Sequence, residues 1–171
     1  MPKPKVALLV GSDSDIPTMQ EGIEVLTKLQ IPYELHIYSA HRTPDQTLHF
    51  AQKAHEQGFH VIIAGAGMAA HLAGIVAAHT LFPVIGVPME GSLQGLDSLL
   101  STVQMPKGVP VGTVAIGKTG AINAALLAAQ ILALSDEGLL KRLRAYRSSM
   151  EQDVLNKDKG LQKDAKRFSK N

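Results

Sequence analysis

A chain of 171 residues with 45% hydrophobic side chains has the length of one domain and enough apolar surface for a full core. Its 17 Lys/Arg against 15 Asp/Glu leave a net charge of only +2, which excludes a generally basic nucleic-acid binder. With no cysteine it uses neither a disulfide nor a thiolate, as expected of a protein of the reducing cytoplasm.

The N-terminal MPKPKVALLVGSD has too short an apolar run for a secretory signal and no small-residue cleavage site. KVALLV (5–10) is a continuous apolar run ending at Gly11, the pattern of a strand covered on both faces. Ile16, Met19, Ile23, Leu26 and Leu29 then recur at helical spacing, with Asp15 as the expected N-cap and Pro17 in the first turn. YELHIYS (33–39) reads as a second strand. Thr43-Pro44-Asp45-Gln46 has the form of a capping box with proline at the first helical position, ahead of Leu48, Ala51 and Ala54.

Residues 61–89 contain no Lys, Arg, Asp or Glu and are long enough to suggest a membrane span. Gly65, Gly67, Gly74, Pro83, Gly86 and Pro88 interrupt them, so the better reading is a buried strand (60–65), a helix (68–80) and a strand (83–89). Residues 97–110 read as a loop, 108–117 hold a fifth strand, and TGAINAALLAAQILAL (119–134) is a buried helix. Residues 136–157 form an amphipathic helix that completes a single domain over 1–157. The charged end, 158–171, is expected to fray. From Asp136 onward ten Lys/Arg face six Asp/Glu, the balance of a solvated surface.

Strands alternating with helices at this spacing give an α/β fold with a five-stranded parallel sheet covered on both faces. Such sheets bind ligands beyond the carboxyl ends of their strands, where strand order reverses. Three strand-to-helix turns therefore carry the chemistry. GSDSD (11–15) offers close backbone approach at Gly11, hydroxyls on Ser12 and Ser14, and a helix N-terminus for an anion. It lacks both the Walker lysine and the GxGxxG spacing, and by itself it is equally well a helix cap. Among its acids, one suits ribose hydroxyls better than a phosphate. SAHR (39–42) sets His41, a side chain suited to proton exchange near neutral pH, beside Arg42, a planar fork for a phosphate dianion. An isolated histidine is more often structural, but this one stands at a strand end next to an arginine. AGAGMAAH (64–71) exposes backbone N–H groups in a small-residue wall and ends in His71. The seven histidines form no HExxH or other compact ligand spacing, so no metal is expected.

Taken together, GSDSD with Met19, SAHRTP, IAGAG-AAHL, GVP, LDSL, QMP-G-PV-T-AIG and NAALLAAQIL resemble the N5-carboxyaminoimidazole ribonucleotide mutases of bacterial purine synthesis. The resemblance runs from about Val6 to about Leu134. It implies a flavodoxin-like three-layer α/β/α sandwich assembled as an octamer, working without metal or organic cofactor on a small ribonucleotide, and away from nucleic acid and membrane. It implies that a carboxylate moves from N5 to C4 of the substrate, with His41 as acid and then base. Phosphate and ribose contacts fall on Ser12, Asp15 and Arg42, with Ser39 and Gly11 beside them. Ala66, Gly67, His71 and Leu72 line the pocket for the migrating carboxyl group. Met68 stands where the family pattern has glycine and Ala73 where it has proline; the loop 89–95 is one residue shorter and contains Glu90. The sister activity, direct carboxylation of aminoimidazole ribonucleotide by carbon dioxide, is the nearest alternative. A flavin-binding or receiver module is the more distant one, though the third strand ends in Ala64-Gly65 rather than in an acceptor aspartate.

Overall fold

The computed structural model describes residues 5–168, with side chains described through residue 162. The chain forms two compact units, 1–132 and 133–171. In the first, strands β1 (Lys5–Val10), β2 (Tyr33–Ile37), β3 (Phe59–Ala66), β4 (Val84–Pro88) and β5 (Gly112–Thr113) make one sheet in the order β2-β1-β3-β4-β5. Every pairing is parallel. This is the flavodoxin-like order, in which the direction of strand addition reverses between β1 and β3. The expected fold class is thus the observed one.

The apolar run 6–10 is wholly buried because β1 lies between two neighbours and under helices on both faces. Side chains alternate across it. Ala7, Leu9, Ile62 and Ala64 share one core with Phe50 and Ala51 of α2 (Pro44–Lys53) and Leu72 and Val76 of α3 (Leu72–Ala78). On the other face, α1 (Ile16–Lys28) buries Met19, Ile23 and Leu26. Gly22 lets α1 approach α5 (Gly117–Ala133) closely: a Cβ there would stand 2.6 Å from the Ala121 carbonyl oxygen.

Five local readings are corrected. The second strand ends at Ile37, because the Ser39 N–H turns to the Thr43 hydroxyl at 2.9 Å instead of a neighbouring strand. That contact also removes the capping box, since the Thr43 side chain makes no bond to its own helix. Asp15 likewise occupies the N-cap of α1 without a side-chain capping bond; Ser12 caps the preceding short turn instead. The helix expected over 68–80 is confined to 72–78, because Met68 adopts φ 55, outside the right-handed region. Finally, the expected loop at 97–110 begins as a helix, α4 (Leu96–Val103).

The second unit is built on α6 (Glu137–Phe168). Its first turn is capped by the Asp136 carboxylate, which accepts the Leu139 N–H at 2.9 Å. The boundary expected after residue 157 falls inside this helix, and the residues expected to fray continue it to Phe168; 169–171 lie outside the described residues. The charge-free stretch 61–89 is strand, helix and strand, and no helix among the described residues is long and apolar enough to cross a membrane.

Candidate functional site

At the carboxyl ends of β1 and β3 lies a cleft of about 580 Å³. It is lined by all ten residues singled out in the sequence: Gly11, Ser12, Asp15, Ser39, His41, Arg42, Ala66, Gly67, His71 and Leu72. The topology explains the convergence. Three turns far apart in sequence meet because β2, β1 and β3 are adjacent and parallel, so their carboxyl ends point the same way.

The first turn is held at its root by the Gly11 N–H, which donates to the Gly65 carbonyl at 3.1 Å. Its own hydrogen bonds are local. The Ser12 hydroxyl donates to Asp13 at 2.9 Å, and the Ser14 N–H donates to the same carboxylate at 3.1 Å. Those donors, Ser12 first, hold the Asp13 carboxyl below its ordinary range. Asp15 behaves oppositely: partial burial raises its pKa, against the lowering effect of a Ser12 backbone bond. An acid held this way readily accepts hydrogen bonds from ligand hydroxyls that restore lost solvation.

Arg42 ties the second turn to the first. Its Nη2 donates to the Gly11 carbonyl at 2.9 Å, and Nε approaches the Ser39 hydroxyl at 3.5 Å. Ser39 Oγ also accepts the Arg42 backbone N–H at 3.2 Å. The guanidinium is therefore oriented before any ligand arrives, while donors on Nη1 stay available for an anion. Next to it, His41 Nε2 lies 2.7 Å from His71 Nδ1, with the rings inclined at 76°.

The third turn supplies the small-residue wall. A Cβ at Gly65 would meet the Met89 methyl and the Met19 sulfur, so a larger residue at this β3 end would have to displace those two side chains. Beyond it Met68 holds its left-handed backbone while its side chain is 64% exposed. The Ser101 hydroxyl lies 3.4 Å from the Met68 carbonyl and also donates to Asp97 O at 2.7 Å, which links this turn to α4.

The comparisons with known proteins agree with this geometry. The family model described as AIR carboxylase matches residues 5–153. The chain belongs to the AIR carboxylase family. It is 56% identical over 153 residues, 89% of this chain and 93% of the relative, to the N5-carboxyaminoimidazole ribonucleotide mutase of Haemophilus influenzae. The Bacillus subtilis protein of that name is 54% identical, covering 90% of this chain and 95% of the relative. Among solved structures, Treponema denticola PurE superposes with a TM-score of 0.83 at 29% identity, covering 92% of this chain and 98% of that one.

This member of the family also has cleft residues that the sequence motifs contained without a site role, Ala40, Met68 and Ala69, together with Ser14 and with Glu90, Gly91 and Ser92 of the shortened loop. The last three follow β4, whose carboxyl end opens on the same cleft. The strand-end rule applied to three turns holds equally for this fourth one and finds them. Glu90 lies against Gly117, where a Cβ would stand 3.2 Å from its Oε1. With φ at 70°, Gly117 is suited to that close approach.

Proposed function

We propose that the cleft isomerises N5-carboxyaminoimidazole ribonucleotide to 4-carboxy-5-aminoimidazole ribonucleotide in purine biosynthesis, as a cytoplasmic homo-octamer. The observation that carries this reading is His41 beside a pre-oriented Arg42 in a cleft walled by small residues. The mutase name of relatives sharing more than half their residues with this chain supports it. Arg42 takes the substrate phosphate, Ser12 and Ser39 flank it, and Asp15 accepts from ribose hydroxyls. Holding the ribonucleotide this way uses the binding energy of the unreacting part to fix the reacting part.

The chemistry follows from the substrate. Its carboxylate sits on nitrogen as a carbamate. Imidazolium His41 protonates N5, the C–N bond breaks with its electron pair on nitrogen, and carbon dioxide leaves. The aminoimidazole is an enamine, nucleophilic at C4. It attacks the carbon dioxide, and neutral His41 takes the C4 proton. One proton is lent and returned, so no ATP or other co-reactant is consumed. Positioned acid–base help of this kind is worth about 10²–10⁴ in rate. Ala66, Gly67, His71 and Leu72 wall the space in which carbon dioxide waits, and excluding bulk water there limits its escape.

The direct test is His41→Asn. Asparagine keeps approximate size and polarity but cannot shuttle a proton. Turnover should fall by at least about 10² while product still binds in a titration. Turnover within tenfold of wild type would remove His41 from the acid–base role.

A further inference from the structure

We infer that His71 is a positioning residue for proton transfer: it accepts the Nε2–H of His41 and so reserves His41 Nδ1 for the substrate. The inference rests on the assignment of His41 as acid and base above.

His71 occupies the N-cap position of α3, yet its side chain makes no capping bond. The helix start is secured by backbone contacts instead, with the His71 N–H on the Ala69 carbonyl at 2.8 Å and the Ile75 N–H on the His71 carbonyl at 2.9 Å. The imidazole is therefore available for another task. Its Nδ1 lies 2.7 Å from His41 Nε2, ring centroids 4.9 Å apart and rings inclined at 76°. At that separation one nitrogen carries a proton and the other presents a lone pair.

Two polarities are open, and the reaction selects one. If His41 Nε2 were the acceptor, neutral His41 would carry its proton on Nδ1 and hold no lone pair for the C4 proton. If His41 Nε2–H donates, neutral His41 has its lone pair on Nδ1, and protonation there yields the acid. The bond to His71 then persists through both halves of the cycle. Nδ1 lends a proton to N5 as the C–N bond breaks and recovers one from C4 after the C–C bond forms; His71 exchanges none. An orienting partner that fixes a histidine tautomer is a general device of acid–base sites.

The test compares two substitutions. His71→Leu removes the acceptor, whereas His71→Asn places an amide oxygen near the Nδ1 position. His71→Leu should lower kcat about 10–100-fold with KM within about threefold, the range typical of an orienting partner. His71→Asn should recover most of that loss. Nitrogen-15 NMR of labelled histidines should show neutral His41 as the Nε2–H tautomer in the wild type and as a mixture in His71→Leu. Wild-type turnover in a folded His71→Leu protein, or neutral wild-type His41 protonated on Nδ1, would overturn the proposal. The wild-type spectrum decides alone should His71→Leu fail to fold. Full activity in His41→Asn would instead overturn the underlying assignment of His41.

Discussion

Arg42 is placed by what it already touches. Its guanidinium bridges the Gly11 carbonyl and the Ser39 hydroxyl, so its free edge is presented rather than searched for. Lysine keeps the charge and loses the fork. Arg42→Lys should therefore weaken product binding roughly tenfold by calorimetric titration, the equivalent of one lost charge-assisted bond. Unchanged affinity would move the phosphate site elsewhere. Asp15 makes a prediction of opposite sign for stability. Burial raises its folded-state pKa, so its ionised form destabilises the fold above that pKa, and the penalty is relieved as pH falls towards the unfolded value. Asp15→Asn should raise the urea midpoint at pH 7, lose that advantage as pH falls through the carboxylate range, and bind ribonucleotide less well. A lower midpoint at pH 7 would contradict the burial argument. Met68 carries a left-handed φ of 55° with a mostly exposed side chain. Met68→Gly should stabilise the chain by about 1 kcal/mol in urea unfolding, since glycine adopts this conformation without a Cβ penalty. A loss of stability would show that the Met68 side chain contributes more than its exposure suggests.

At the scale of elements, the sequence was most readable where one pattern decided the outcome. The apolar run 6–10 and the two ends of the charge-free stretch, 61–65 and 84–89, could only be buried strands, and they are; between them Met68, Ile75 and Leu81 stay exposed. It was least readable where a side chain had two possible partners. Thr43 has the spacing of a capping box but bonds with Ser39, which lies across the turn and not along the helix. Such a choice depends on tertiary geometry that local spacing does not contain. The same holds for the start of α3, where a single methionine in left-handed conformation displaces the helix to Leu72. Ala73, the second residue of that helix, sits where both alanine and proline are tolerated, so that departure from the family pattern is structurally mild. Helix α4 is a different matter, since its signal was present: Leu96, Leu99, Leu100 and Val103 stand at i, i+3, i+4 and i+7. The following Gln-Met-Pro drew attention to a loop and hid the helix before it. Its packing is exacting, because a Cβ on Gly86 of β4 would collide with the Thr102 methyl of α4 and press on Ala73 of α3. Gly86→Ala should cost about 1–3 kcal/mol in urea unfolding as α4 is pushed from the sheet. A neutral result would mean that α4 shifts freely.

On the whole-molecule scale, the outer face of α4 is unusually apolar. Leu96, Leu100 and Val103 are each about half exposed at one-face spacing, with Leu93 beside them in sequence and Met68 tied to the same helix through Ser101. Exposed apolar side chains grouped on one helix face are the kind of surface that interfaces cover. If this face lies between subunits, sedimentation should show eight 18.3-kDa chains, and Leu100→Glu should release smaller species with the fold intact. A stable wild-type monomer at micromolar concentration would contradict the octamer. The cleft itself was legible because topology alone brings the strand ends together: all ten expected residues meet there, whereas the β4 loop was noted for its length and for Glu90 but given no site residue, for want of applying the same rule once more. The central claim, transfer of one carboxylate within a closed site, is tested most directly by supplying N5-carboxyaminoimidazole ribonucleotide in degassed buffer without bicarbonate or ATP. The expected result is C4-carboxylated product, with almost no label entering it during the first turnovers when carbon-13 bicarbonate is then added. Product formed only from aminoimidazole ribonucleotide and dissolved carbon dioxide, or complete label exchange at the outset, would contradict it.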